Sequence, residues 1–226
     1  MELPPFTWSA TLPGGATVRS ASKLAGDFSD PAAVPEARRA LAPFAWTWLR
    51  QVHGGGVVVV EEPGACRGVE ADAALTRSAG AALAVLTADC APLALSSEEG
   101  VVGVVHAGWR GLVAGVVQKA VASMKVLGAS QVFAALGPCI WPHAYAFSPS
   151  DLDLVEAELG PAVRATTASG SPALDLPAAV ASALEHAGAF LVACSQTCTH
   201  CSAEHFSWRA RRDQGRQATV VWREPA

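Results

Sequence analysis

No apolar run in this chain approaches the ~18 residues that a membrane-spanning helix needs. The amino-terminal MELPPFTWSA also lacks the basic region and following apolar stretch of an export signal. A cytoplasmic protein with no membrane partner is therefore expected. Positive charge is not in excess: sixteen Lys and Arg against twenty Asp and Glu leave a formal charge of −4. A chain without a global basic field is not built to hold a nucleic-acid backbone. The six cysteines, at 66, 90, 139, 194, 198 and 201, are irregularly spaced and make no small disulfide framework, so reduced thiols acting as ligands or nucleophiles are expected. The Gly-rich phosphate loop ending in Gly-Lys-Ser/Thr is missing, as are the His-x-Glu and Pro-Cys-x-x-Cys motifs of the common zinc nucleobase deaminases. Six histidines, scattered singly and without a His-x-His pair, cannot furnish a multicopper cluster of the ordinary laccase type.

What is present is a chain of 226 residues, 51% of them hydrophobic, long enough to bury a full core as one domain or two tightly fused halves. Its chemistry is concentrated in residues 86–111, LTADCAPLALSSEEGVVGVVHAGWRG. Residues 92–96 and 101–105 read as two short buried strands joined by Ser97-Glu98-Glu99-Gly100, a connection of hairpin length and composition. Cys90 and His106 thus leave strand ends with a hairpin between them. Upstream, residues 46–51 are extended and run into Val52-His53-Gly54-Gly55-Gly56, followed by a strand at 57–60. The three glycines permit backbone conformations closed to other residues, and His53 stands at their entrance. Apolar spacing predicts a helix over 112–127 capped by Gly128. Further helices are expected over 35–42, 150–159 and 175–187, and further strands at 131–136, 190–194 and 218–222. Strands, hairpins and helices without a strict strand-helix repeat indicate an α+β sandwich.

A single cysteine or histidine is usually structural. His53, Cys90 and His106 together, each at a strand end, form a ligand set that suits zinc with an open fourth position. The competing chemistry is a Cys-His hydrolase with Cys90 as nucleophile and His106 as base. A second cluster, Cys194, Cys198, His200 and Cys201 followed by His205, contains a Cys-x-x-Cys pair that could begin a structural zinc site with Cys194 or His205. Beyond it lie Arg209, Arg211, Arg212 and Arg216. Such a run is mostly a solvated face, although one or two inward guanidinium forks suit an anion such as phosphate. Arg110 and Arg216 are the candidates for that role.

Taken in order, Gln51-Val52-His53-Gly54, Ala71-Asp72-Ala73, Thr87-Ala88-Asp89-Cys90, Val105-His106-Ala107-Gly108-Trp109-Arg110-Gly111, Leu136-Gly137-Pro138-Cys139-Ile140, Cys198-Thr199 and Phe206-Ser207-Trp208-Arg209 resemble the YfiH family. That family was long labelled polyphenol oxidase or laccase-like, and its members are now understood as purine nucleoside phosphorylases. The resemblance spans residues 14–222. It implies a single α+β domain over residues 1–226, a layered α-β-β-α sandwich of mixed sheets. It places the metal or catalytic trio on His53, Cys90 and His106. It further implies phosphorolysis of adenosine, inosine and S-methyl-5′-thioadenosine to free base and a ribose 1-phosphate, with purine nucleoside and phosphate as partners and some adenosine deamination. Zinc is the expected metal, with copper as the alternative that the older label suggests. The chain departs from the family pattern at Ala146, where a glutamate usually follows the tyrosine, and at Ala210, within the usual paired arginines and aspartate. The sequence sets no oligomeric state.

Overall fold

Along strand β6 (Ala81–Thr87), Ala82 and Ala84 face one way and Leu83 and Val85 the other, yet all four are fully buried. A strand buried on both faces needs a layer above it and a layer below. The computed structural model, which describes residues 6–225, supplies both. One mixed sheet has the order β1 (Phe6–Leu12), β2 (Ala16–Ala21), β13 (Gln217–Arg223), β6, β3 (Ala45–Trp48). The other runs β12 (Phe190–Cys194), β9 (Phe133–Leu136), β7 (Ala91–Ser96), β8 (Val102–Ala107), β5 (Ala73–Thr76), β4 (Val57–Val59). A small ribbon of β10 (Arg164–Thr166) and β11 (Pro172–Leu174) lies outside both.

Leu12, Val18, Leu83, Val85 and Val221 of the first sheet meet Ala74, Ala94, Val102, Val104 and Ala135 of the second in a shared apolar layer. On the far side of the second sheet, α3 (Val116–Val126) and α5 (Leu176–Ala187) bury Val117, Val121, Met124, Val180 and Leu184 against Leu75, Leu93, Leu95 and Val105. On the far side of the first sheet, α1 (Pro35–Leu41) contributes Leu41 to a layer in which Phe28 stacks on Trp46, with ring centroids 6.0 Å apart. The architecture is the expected α-β-β-α sandwich of mixed sheets. Each fully buried Leu or Val stabilises it by ~1.5–3 kcal/mol.

The helix starts follow local chemistry. α4 (Pro149–Leu159) is capped by Ser148, whose Oγ accepts from the Asp151 amide, and α5 by Asp175, whose carboxylate accepts from the Ala178 amide. One expectation is corrected. The apolar spacing over 112–127 predicts a single helix, but the chain forms α2 (Trp109–Val113) and then α3. Gly115 takes φ +73°, a left-handed conformation that ends the first helix and re-aims the second. The amino-terminal segment forms the β1–β2 hairpin, closed at Pro13–Gly15. At Gly14 a Cβ would lie 2.0 Å from the Ser97 carbonyl oxygen, so this turn packs on the β7–β8 connection. No helix among the described residues is long and apolar enough to cross a membrane.

Candidate metal and catalytic centre

The trio assembles at one open end of the layer between the two sheets, and strand parity explains why. In β8, Val102 and Val104 face that layer, and His106 has the same parity. In β5 the inward residue is Ala74, and Asp72, two residues earlier, shares its parity. Ala73 pairs with Val105, and the His106 amide donates to the Asp72 carbonyl at 2.7 Å, so Asp72 and His106 form the next rung. Their side chains meet there: His106 Nδ1 lies 2.8 Å from Asp72 Oδ1, with both groups buried.

The Asp72 carboxylate also holds the His53 segment. Its Oδ1 accepts from the His53 amide at 3.0 Å, and its Oδ2 from the Gly54 and Val52 amides at 2.7 and 3.3 Å. This cradle keeps His53 at φ +59°, a left-handed conformation uncommon for histidine. Cys90 arrives by a third route. Residues 88–90 carry the chain from β6 of one sheet to β7 of the other, and Asp89 makes the turn at φ +102°. Asp89 is held there by hydrogen bonds to its carboxylate from Thr199 Oγ1 at 2.8 Å, Ser207 Oγ at 2.7 Å and the Arg209 amide at 2.7 Å. Its carbonyl accepts from the Ile140 amide. Backbone strain of this kind persists only where the surroundings over-determine it.

Cys90 Sγ consequently lies 3.8 Å from His53 Nε2, and the ligand atoms of His53, Cys90 and His106 lie within 4.8 Å of one another. Gly108 makes room for them. A Cβ there would come within 2.9 Å of His53 Cδ2 and 3.3 Å of Cys90 Sγ. Burial pushes the Cys90 thiol up, but His106 and then His53 more than offset this and bring it to about 6. Burial pushes His106 down, and the Cys90 sulfur and the Asp72 carboxylate reverse the effect, raising it to about 9. Each group thus favours the charged form of the other.

These residues fit an ion of the zinc class. Tetrahedral sulfur and nitrogen ligands at ordinary bond lengths stand ~3.6 Å apart, close to the observed Cys90–His53 spacing. The Asp72 bond to Nδ1 of His106 directs its Nε2 toward a ligand, the usual outer-shell arrangement for a metal-binding histidine. Three protein donors leave one position open.

A cavity of about 610 Å³ opens onto the trio, within the ~300–1,000 Å³ common for small-molecule sites. Leu49, Leu86 and Trp208 give it apolar walls, and Thr87 and Arg216 are among its polar lining. Thr87 Oγ1 is buried without a hydrogen-bond partner among the described residues. Gln51 also faces the cavity, but both ends of its amide are held by the Leu86 backbone. Arg216 lines the cavity while its Nη1 donates to the carbonyls of residues 213–215. Arg110 stands apart, exposed on α2 with its guanidinium 4.3 Å over the Trp109 ring. The two candidate arginines are therefore not brought together.

The expected completion of the Cys-x-x-Cys pair is corrected. His205 is buried with Nε2 against Thr7 Oγ1 at 3.0 Å and Nδ1 against Ser202 Oγ at 2.9 Å, so both ring nitrogens are engaged. The Cys194 thiol turns to the Ser195 carbonyl. The residue that meets Cys198 and Cys201 is His143. Sequence reasoning also missed Asp72 and Asp89 as positioning residues. Both stand in motifs that carry the family resemblance, but nothing in those motifs shows which groups the carboxylates will hold.

A family model described as multi-copper polyphenol oxidoreductase laccase matches residues 22–224. The chain is 43% identical over 203 residues to a purine nucleoside phosphorylase of Streptomyces coelicolor, an alignment covering 85% of this chain and 84% of the relative. Among solved structures, a Neisseria meningitidis protein superposes with a TM-score of 0.85 at 26% identity, over 98% of this chain and 100% of that one. YlmD from Geobacillus stearothermophilus gives 0.81 at 28%, over 99% and 94%. By match, fold and motif, the chain belongs to the family described as multi-copper polyphenol oxidoreductase laccase, the YfiH family.

Proposed function

We propose that this chain is a purine nucleoside phosphorylase that cleaves adenosine, inosine and S-methyl-5′-thioadenosine with phosphate, giving free base and a ribose 1-phosphate. The reading is carried by the 43% identity to a relative of that name, in a chain whose His53, Cys90 and His106 converge on one cavity. In phosphorolysis a phosphate oxygen bonds to C1′ while the glycosidic electron pair leaves with the purine. The site must exclude water, hold the ribose and fix the anion. Leu49, Leu86 and Trp208 suit the flat apolar faces of a purine. The unpartnered Thr87 hydroxyl suits a ribose hydroxyl or base edge, since leaving it buried and unbonded is costly. Arg216 is the cavity's guanidinium and our candidate for phosphate, with Arg110 the outer alternative. A zinc-class ion on His53, Cys90 and His106, with copper the alternative, would supply a Lewis acid at the open position. Asp72 and Asp89 act as positioning residues for the ligands.

The family description also suggests a copper-dependent phenol oxidase. The histidines favour phosphorolysis. Two of the six converge at the trio, His143 and His200 lie near Cys201, His205 is bonded to Thr7 and Ser202, and His186 sits on α5. That distribution does not supply the additional histidines of a multicopper cluster.

The test is hypoxanthine release from inosine, with and without phosphate, by the wild type and Cys90→Ala. Release that requires phosphate and is lost in the variant is expected. Release without phosphate, release unchanged in Cys90→Ala, or no release overturns the reading. Ammonia release from adenosine in the same samples measures the deaminase reaction, and dioxygen uptake with a phenolic substrate after copper loading measures the oxidase.

A further inference from the structure

The Cys-x-x-Cys pair unused by the first centre lies on a turn in which the Cys201 and Ser202 amides both donate to the Cys198 carbonyl. The turn is placed by a parallel bridge between Cys139 and Cys198 and by the Thr199 amide, which donates to the Cys139 carbonyl at 3.0 Å. From the other side, the short turn Pro142–Ala144 presents His143. His143 Nε2 is 3.2 Å from Cys201 Sγ, and the three donor atoms of His143, Cys198 and Cys201 lie within 4.8 Å of one another. His200 Nδ1 is 3.8 Å from Cys201 Sγ. Two sulfurs and the His143 nitrogen are thus gathered from segments that are far apart in sequence, with His200 beside one of the sulfurs.

We propose that His143, Cys198 and Cys201 form a second metal site for a zinc-class divalent cation, with the fourth position left for water or for His200 after rotation of its ring. Two thiolates and one imidazole are three of the four donors of a structural Cys2His2 zinc site. Such ligands stand ~3.6–3.8 Å apart; the 3.2 Å between His143 and Cys201 needs a shift of only a few tenths of an ångström, and all three side chains are exposed or half-buried and free to adjust. The ion would staple the segment at 139–145 to the segment at 198–201. Both segments grip Asp89, through the Ile140 amide on one side and the Thr199 hydroxyl on the other. The second site is therefore a positioning device for the turn that carries Cys90. It does not depend on which reaction the first centre performs.

Metal content after stripping with chelator and reloading with zinc tests this. The wild type is expected to carry one equivalent more than Cys198→Ser/Cys201→Ser, and Cys90→Ser is expected to keep that equivalent. Cobalt loaded into Cys90→Ser should show the intense thiolate charge-transfer absorption of a two-sulfur site, and the pair variant should lack it. His143→Ala alters one exposed side chain and keeps the test available if the pair variant misfolds; it should weaken the second equivalent by roughly tenfold or more. The proposal is overturned by equal metal content in the wild type and both second-site variants. A Cys198–Cys201 disulfide in the purified protein, found by thiol titration, overturns it too.

Discussion

Asp72 holds four hydrogen-bond donors, the amides of Val52, His53 and Gly54 and the ring of His106, and so fixes two of the three proposed ligands of the first centre at once. Removing it leaves a buried imidazole and three amides without their acceptor. Asp72→Ala should destabilise the metal-free protein by about 3 kcal/mol, measured by urea unfolding, and lower zinc affinity by ~10–100-fold. Burial pushes the Asp72 carboxyl up, but the His106 and backbone hydrogen bonds win and hold it below the usual carboxylate range. A depressed carboxyl stabilises the fold above its unfolded value of ~3.9 and loses that contribution as pH falls through the folded value. The gap between wild type and variant should therefore be full at pH 7 and shrink in acid below ~4. A gap that widens in acid contradicts this role. Gly108→Ala probes space instead: the added methyl meets the edge of His53, so zinc affinity should fall roughly tenfold while the urea midpoint stays close to wild type. The trio was legible because each member sits in a dense local motif. Asp72 was not, since one aspartate between two alanines gives no sign of which backbone it will hold. His143 was equally opaque as the partner of Cys198 and Cys201, because only the folded loops bring it to them.

At the scale of elements, legibility followed periodicity. The buried positions of α3, Val116, Val117, Ala120, Val121 and Met124, are the apolar face that the spacing marks out. The β7–β8 hairpin lies where its turn composition places it, with Pro92 opposite His106. The break before α3 was hidden because the apolar pattern runs unbroken through it, and a glycine's handedness leaves no trace in hydrophobicity. Gly115→Ala forces a left-handed backbone on an L-residue and should cost ~1–2 kcal/mol, read from the urea midpoint. No loss of stability would mean that α2 and α3 can merge into one helix. The β1–β2 hairpin was also obscured. Along β1 burial alternates only between exposed and half-buried until Leu12, so this edge strand carries a weak apolar signal.

For the whole molecule, what matters is where the three proposed ligands come from. His53 follows a strand of the first sheet, Cys90 sits on the crossing between sheets, and His106 ends a strand of the second. An ion held by all three would add a clamp between the two sheets beside the Asp72 hydrogen bonds and the 88–90 crossing. The unfolded chain has no such clamp, so an ion binding there favours the folded state by mass action. At free zinc a hundredfold above its dissociation constant, that shift is about 2.7 kcal/mol. Thermal and urea midpoints of Cys198→Ser/Cys201→Ser, which isolates the first centre, should rise with free zinc and fall to a fixed floor in chelator. Midpoints indifferent to zinc would mean that the trio does not hold it. If the trio holds its ion as proposed, the seam between the sheets would make metal supply a determinant of how long this chain stays folded, and scarcity of the ion would be felt as lost protein.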